Sequence, residues 1–118
     1  MSVELRLLIT RGVDWLAHEQ LHAPSNAEMF NELEQYAKEK GYTIPKDGLH
    51  CYCARNKNEE TAYGTVKEDC YGNIISGLSP KELSDIMEKH SDGNWYYSSI
   101  IAYLKLLPER NIIYLFFH

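Results

Sequence analysis

A chain of 118 residues with 44% hydrophobic and 25% charged residues is long enough for one domain around one core, too short for two, and too apolar for disorder. A net charge of −5 and an isoelectric point near 5.5 supply no field that would draw a phosphate backbone, which disfavours nucleic acid as a partner. The longest nearly uncharged stretch, residues 94–107, is interrupted by Lys105 and followed by Pro108, so no membrane span is expected.

Residues 3–9 begin in apolar/polar alternation and end apolar, which predicts a strand buried on at least one face. Gly12 breaks it. Asp14 is placed to cap a short helix from residue 15 to about 22, because Pro24 pushes Ala23 toward an extended conformation and stops helix there. Ser25-Asn26-Ala27-Glu28 has the pattern of a capping box, opening a second helix with Met29, Phe30, Leu33, Tyr36 and Ala37 inward and Gly41 at its close. From Gly48 to Gly77 strands are expected over 49–54, 62–66 and 73–76, with the polar residues 55–60 as a loop. Ser79-Pro80-Lys81-Glu82 is a second capping box with proline at the first helical position, and Leu83, Ile86 and Met87 then face the core. Asp92-Gly93 ends that helix. Asn94 caps the next, whose stripe is Trp95, Ile100, Ile101, Leu104 and Leu107. Residues 112–117 are apolar on both faces and predict an interior strand. The order β-α-α-β-β-β-α-α-β implies a single α+β domain over 1–118, a mixed sheet of about four strands with helices packed on it, and the first and last strands side by side in its centre.

His18-Glu19-Gln20-Leu21-His22 is an H-E-x-x-H string. On a helix it would set two imidazoles one turn apart as zinc ligands, with Glu19 between them to activate a metal-bound water. Over those five residues the chain resembles the zincin metalloprotease signature, which implies His18 and His22 as metal ligands and Glu19 as the general base. It departs from that signature at Pro24, which stops the helix almost at the second ligand, and the longer version's glycine and histidine positions hold Ser25 and Glu28. Glu32, Glu39 and His50 are candidates for a third ligand, and none stands in a diagnostic setting. The competing expectation is that His18 packs beside Trp15 and Leu21 at the core edge, with no metal.

Three cysteines, Cys51, Cys53 and Cys70, are an odd count without a secretory signal and fit reduced thiols in a cytoplasmic protein. His50-Cys51-Tyr52-Cys53 would place two thiols on one strand face with Cys70 able to join them. A single intervening residue is shorter than structural zinc sites use, so buried thiols are the simpler reading. Nine tyrosines and two tryptophans are many for so small a chain and fit core and sheet packing as one reading, while Trp95-Tyr96-Tyr97 opens a helix where three consecutive aromatics must point in different directions. At least one therefore faces water, as aromatics at protein-binding surfaces do.

Glu68-Asp69-Cys70-Tyr71-Gly72, the capped helix after it, and the closing run from Leu107-Pro108 through Ile113-Tyr114 to His118 resemble small acidic proteins encoded by phages and prophages. The resemblance covers about the last half of the chain and implies a short, enzymatically silent protein that binds a host protein. The expected function is a cytoplasmic accessory protein without cofactor, binding a host or cellular protein through an acidic, tyrosine-rich surface that includes Trp95, Tyr96 and Tyr97, with self-association left open. The alternative is a compact zinc-dependent hydrolase using His18, Glu19 and His22.

Overall fold

The computed structural model describes the backbone of residues 3–11, 17, 19–55 and 61–118, and the side chains of all of these except 52–55 and 61–63. Leu5–Thr10 (β1) and Ile112–Phe117 (β7) pair antiparallel from Leu5↔Phe117 to Thr10↔Ile112. Glu19–Ala23 (β2) lies on the other side of β1. Beyond β7 come Ser76–Leu78 (β6) and the two-residue Tyr42–Thr43 (β3), so the order among the described residues is β2-β1-β7-β6-β3. Leu49–Arg55 (β4) and Thr61–Val66 (β5) form a separate two-stranded sheet.

The alternation of side chains across the sheet makes two cores. Leu5, Leu7 and Ile9 of β1 and Ile113, Leu115 and Phe117 of β7 face the helices Ala27–Lys40 (α1), Pro80–His90 (α2) and Trp95–Leu106 (α3). Leu8, Tyr114 and Phe116 face the opposite way and meet Leu49, Cys51 and Ile75 in a smaller cluster. Both faces of β7 and of the second half of β1 are therefore covered, which is why Leu7, Leu8 and Ile9 and residues 112–117 run apolar without alternation, whereas Arg6 near the start of β1 is only half-buried. Truncating a fully buried side chain such as Leu7 to alanine removes about 2–5 kcal/mol of stability.

The α+β class and the central pairing of first and last strands are as expected, but the sheet differs in detail. Every pairing is antiparallel rather than mixed, and five strands rather than about four belong to it among the described residues. The expected first helix also fails over its second half: residues 19–23 are strand, paired to β1 from Leu5↔Ala23 to Ile9↔Glu19. Asp14, Trp15 and His18, on which the rest of that expectation fell, lie outside the described residues. Leu21 and Ala23 turn inward at a spacing of two, the period of a strand, whereas the helical expectation rests on Leu21 at steps of three from Trp15 and His18; five residues are too few for either period to prevail, and the open edge of β1 decides it.

Local chemistry sets the helix ends. The first capping box is replaced by a simple cap one residue later: Asn26 accepts from the Met29 amide at 3.0 Å, leaving Glu28 one position too early to reach back. At α2 the box forms in full, with the Glu82 amide donating to Ser79 Oγ at 3.1 Å and the Ser79 amide to Glu82 Oε1 at 3.0 Å. The other Glu82 oxygen accepts the Tyr36 hydroxyl at 2.6 Å and ties α1 to α2. Asp92 and Gly93, both at positive φ, then reverse the chain into α3.

Gly41 ends α1 at an ordinary φ of −76°, so its need for glycine is steric. A Cβ there would lie 2.3 Å from the Ala37 carbonyl oxygen and 2.8 Å from that of Gly77 in β6, both of them backbone atoms. Gly41→Ala is expected to destabilise the protein by about 1–3 kcal/mol, although alanine restricts the unfolded chain and would otherwise stabilise it. Urea unfolding checks the sign. An unchanged or higher midpoint would mean that helix and sheet do not approach this closely.

Candidate functional site

β2 carries two of the three residues of the H-E-x-x-H string that were expected to act together, and it separates them. Glu19 falls on the side of Leu21 and Ala23, toward the helices, where its carboxylate accepts the Tyr103 hydroxyl from α3. His22 falls on the opposite face, opposite Arg6 in the register. The helical geometry that would place Glu19 beside a metal held by His22 is therefore absent from residues 19–23, and His18 lies outside the described residues.

His22 instead meets two residues that no sequence spacing connects to it. Glu4 precedes β1 and exchanges both backbone hydrogen bonds with His118 at 2.9 Å, extending the β1–β7 ladder by one pair. Glu4 and His118 thus stand directly across from each other on the face that His22 shares from the next strand. His22 Nε2 lies 3.5 Å and His118 Nδ1 3.8 Å from Glu4 Oε2. The three ligand atoms all lie within 4.8 Å of one another, and among the described residues this is the one group of three such side chains. Arg6 and Gln20 flank it, with Arg6 Nη1 3.5 Å from Gln20 Oε1, and a cavity of about 320 Å³ opens over the group.

The other proposed ligands are placed elsewhere. Glu32 accepts from Lys89 at 2.8 Å and meets His90 Nε2 at 2.9 Å, and the hydrogen bonds from Lys89 and then His90 hold its carboxyl below the usual range. Glu39 is exposed on α1, and His50 lies in β4. Cys51 is buried in the smaller core and Cys70 is exposed at the turn after β5; Cys53 lies outside the described side chains.

The aromatic run at the start of α3 divides as its geometry requires. The Asn94 side chain accepts from the Tyr96 and Tyr97 amides at 2.8 and 3.2 Å, fixing the first turn. Tyr97 is buried and donates to the Pro24 carbonyl at 2.5 Å, Tyr96 is half-buried, and Trp95 is 76% exposed with its ring edge-on to Tyr96. Trp95 therefore leaves the expected core stripe, and Tyr97 takes its place beside Ile100, Ile101 and Leu104. Four of the tyrosines, Tyr36, Tyr97, Tyr103 and Tyr114, spend their hydroxyls on hydrogen bonds within the fold, which leaves less of a tyrosine surface than composition implies.

Three turns beyond Trp95 on the same side of α3 is Leu106, 85% exposed, since eleven residues at about 100° each return to within about 20° of the start. Between them Ser98, Ser99 and Ala102 are exposed. Ser99 Oγ donates to the Trp95 carbonyl at 2.9 Å, and Lys105 pairs sideways with Glu88 of α2, so these two polar groups are engaged within the fold.

The Glu19 carboxylate pushes the Tyr103 hydroxyl up to about 12 from an ordinary 10.0, with burial adding to it. A hydroxyl whose pKa is raised by folding stabilises fully below its unfolded value and loses that stabilisation as pH rises through the folded one. Tyr103→Phe is expected to cost about 1 kcal/mol near neutrality, a modest figure for a partly exposed bond. The difference from the parent should shrink between pH about 10 and about 12 in paired unfolding curves. A gap that stays constant across that range would contradict the Tyr103–Glu19 bond.

No family model matches the chain, and neither a curated protein nor a solved structure does.

Proposed function

We propose that this chain is a small, non-catalytic cytoplasmic interaction protein that binds another cellular protein along the outer face of α3. The observation that carries this reading is the exposed stripe from Trp95 to Leu106 on a helix whose inner face is already filled by Tyr97, Ile100, Ile101 and Leu104. A helix apolar on both sides is ordinarily buried on both sides. Tryptophan is among the residues that contribute most to binding when a partner covers it, and the small Ser98, Ser99 and Ala102 let a partner's backbone come close between the two large ends. The partner suited to this surface is an apolar helix or strand face, with the fold's own acidic excess of −5 favouring one with a basic rim. No helix among the described residues is long and apolar enough to cross a membrane.

The zinc hydrolase expected as the alternative loses its general base, because Glu19 points away from the face that carries His22. His22 retains two other ligand-bearing neighbours, Glu4 and His118.

A photo-crosslinking residue placed at Ala102 in cells that make the protein tests the interaction. One predominant adduct with another protein is expected, falling at least about tenfold when Trp95→Ala and Leu106→Ala are added. A crosslinker at exposed Lys46 is the control. The same products from position 46, an adduct indifferent to those substitutions, or an adduct with a second copy of the chain would each overturn the reading.

A further inference from the structure

We infer that Glu4, His22 and His118 form a mononuclear binding site for a divalent transition-metal ion of the zinc type. β2 and the two chain segments that extend β1 and β7 by one residue give one ligand each to the same sheet face. Glu4 and His118 are held opposite each other by their paired backbone hydrogen bonds, and His22 comes from the β2 side of β1. Two ligand atoms on a tetrahedral ion with bonds of 2.0–2.2 Å lie about 3.4 Å apart. The separations here are 3.5 Å for His22 Nε2 to Glu4 Oε2 and 3.8 Å for His118 Nδ1 to the same oxygen. Both exceed the 2.7–2.9 Å of a charge-assisted hydrogen bond and approach the edge of a coordination tetrahedron.

Ligand chemistry narrows the ion. Two imidazoles and one carboxylate suit Zn²⁺ and its neighbours, whereas Ca²⁺ and Mg²⁺ want an all-oxygen shell. Three protein ligands leave at least one position for water or a small anion, which is the arrangement of an open site rather than a closed structural one. That position faces the cavity of about 320 Å³ lined by Arg6 and Gln20, and the Arg6 guanidinium on the same face would favour an anionic co-ligand. Glu4 and His22 are about half exposed and His118 is 20% exposed, so an ion can enter from solvent and still find one ligand held firmly.

Calorimetric titration of ZnCl₂ into the full chain, prepared without a histidine tag and stripped with a chelator, tests this. One equivalent should bind, with a loss of at least about 100-fold in affinity for His22→Ala or His118→Ala, and a smaller loss for Glu4→Gln. His90→Ala, which alters the histidine paired with Glu32, and Cys70→Ser should leave the titration unchanged. Zinc-edge absorption on the unsubstituted protein removes any dependence on the variants' folding: a shell of nitrogen and oxygen near about 2.0–2.1 Å is expected, without sulfur near about 2.3 Å. Absence of stoichiometric uptake, uptake that survives both histidine substitutions, or a sulfur shell would overturn the assignment.

Discussion

Between β1 and β7 six residue pairs bury Leu5, Leu7 and Ile9 against the helices and, on the other side, set Leu8 beside Tyr114 and Phe116. The side-chain period of a strand is two, so the register that turns these residues inward also fixes which polar residues share a face at the end of the ladder. Glu4 and His118 are brought together by that register, and His22 joins them because β2 pairs with the free side of β1 in phase with it. A slip of one residue would expose Leu5, Leu7 and Ile9 to the smaller core and scatter the three polar groups. Apolar burial thus holds in place a polar constellation that contributes little to stability by itself, since its members are partly solvated.

The helical layer rests on the same sheet and is fastened at few, specific points. Glu82 serves as both cap partner and acceptor for Tyr36, joining α1 to α2, while Tyr97 and Tyr103 anchor α3 to Pro24 and Glu19 at the β2 edge. Gly41 allows α1 to end against the backbone of β6. These contacts use one face of α3 and the hydroxyls of Tyr36, Tyr97 and Tyr103. They leave the Trp95–Leu106 stripe outside, on the side away from the sheet, where a partner can reach it without disturbing the core. The polar triad sits on the opposite face of the sheet from this helix, so the two features can act independently.

Much of this was legible because local chemistry and burial agree over long segments. Residues 112–117 could only be an interior strand, Ser79 to Glu82 could only begin a helix, and Asn94 caps α3 as its position implies. The five residues of β2 were not legible. Leu21 and Ala23 alternate as a strand does, but Leu21 also stands at steps of three from Trp15 and His18, and the choice is made by hydrogen bonds to β1 that the segment itself does not encode. Glu4 and His118 escaped notice for the same reason in stronger form: they are 114 positions apart in the chain, and only the register of the first and last strands makes them neighbours. The composition of Trp95-Tyr96-Tyr97 does not say which ring turns inward, because adjacent aromatics at a helix start differ in face by a rotation that the Asn94 cap fixes.

The register of β2, β1 and β7 is what brings the three ligands to one face, so locating a bound ion and its ligands tests the site and the register in one measurement. Crystals of the untagged protein grown with ZnCl₂ and measured at the zinc absorption edge give that position directly. The expected result is one anomalous peak within about 2.0–2.2 Å of Glu4, His22 and His118. A map with no peak there, or with its peak at the cysteines, would contradict the metal site, and ligands found on opposite sheet faces would contradict the register itself.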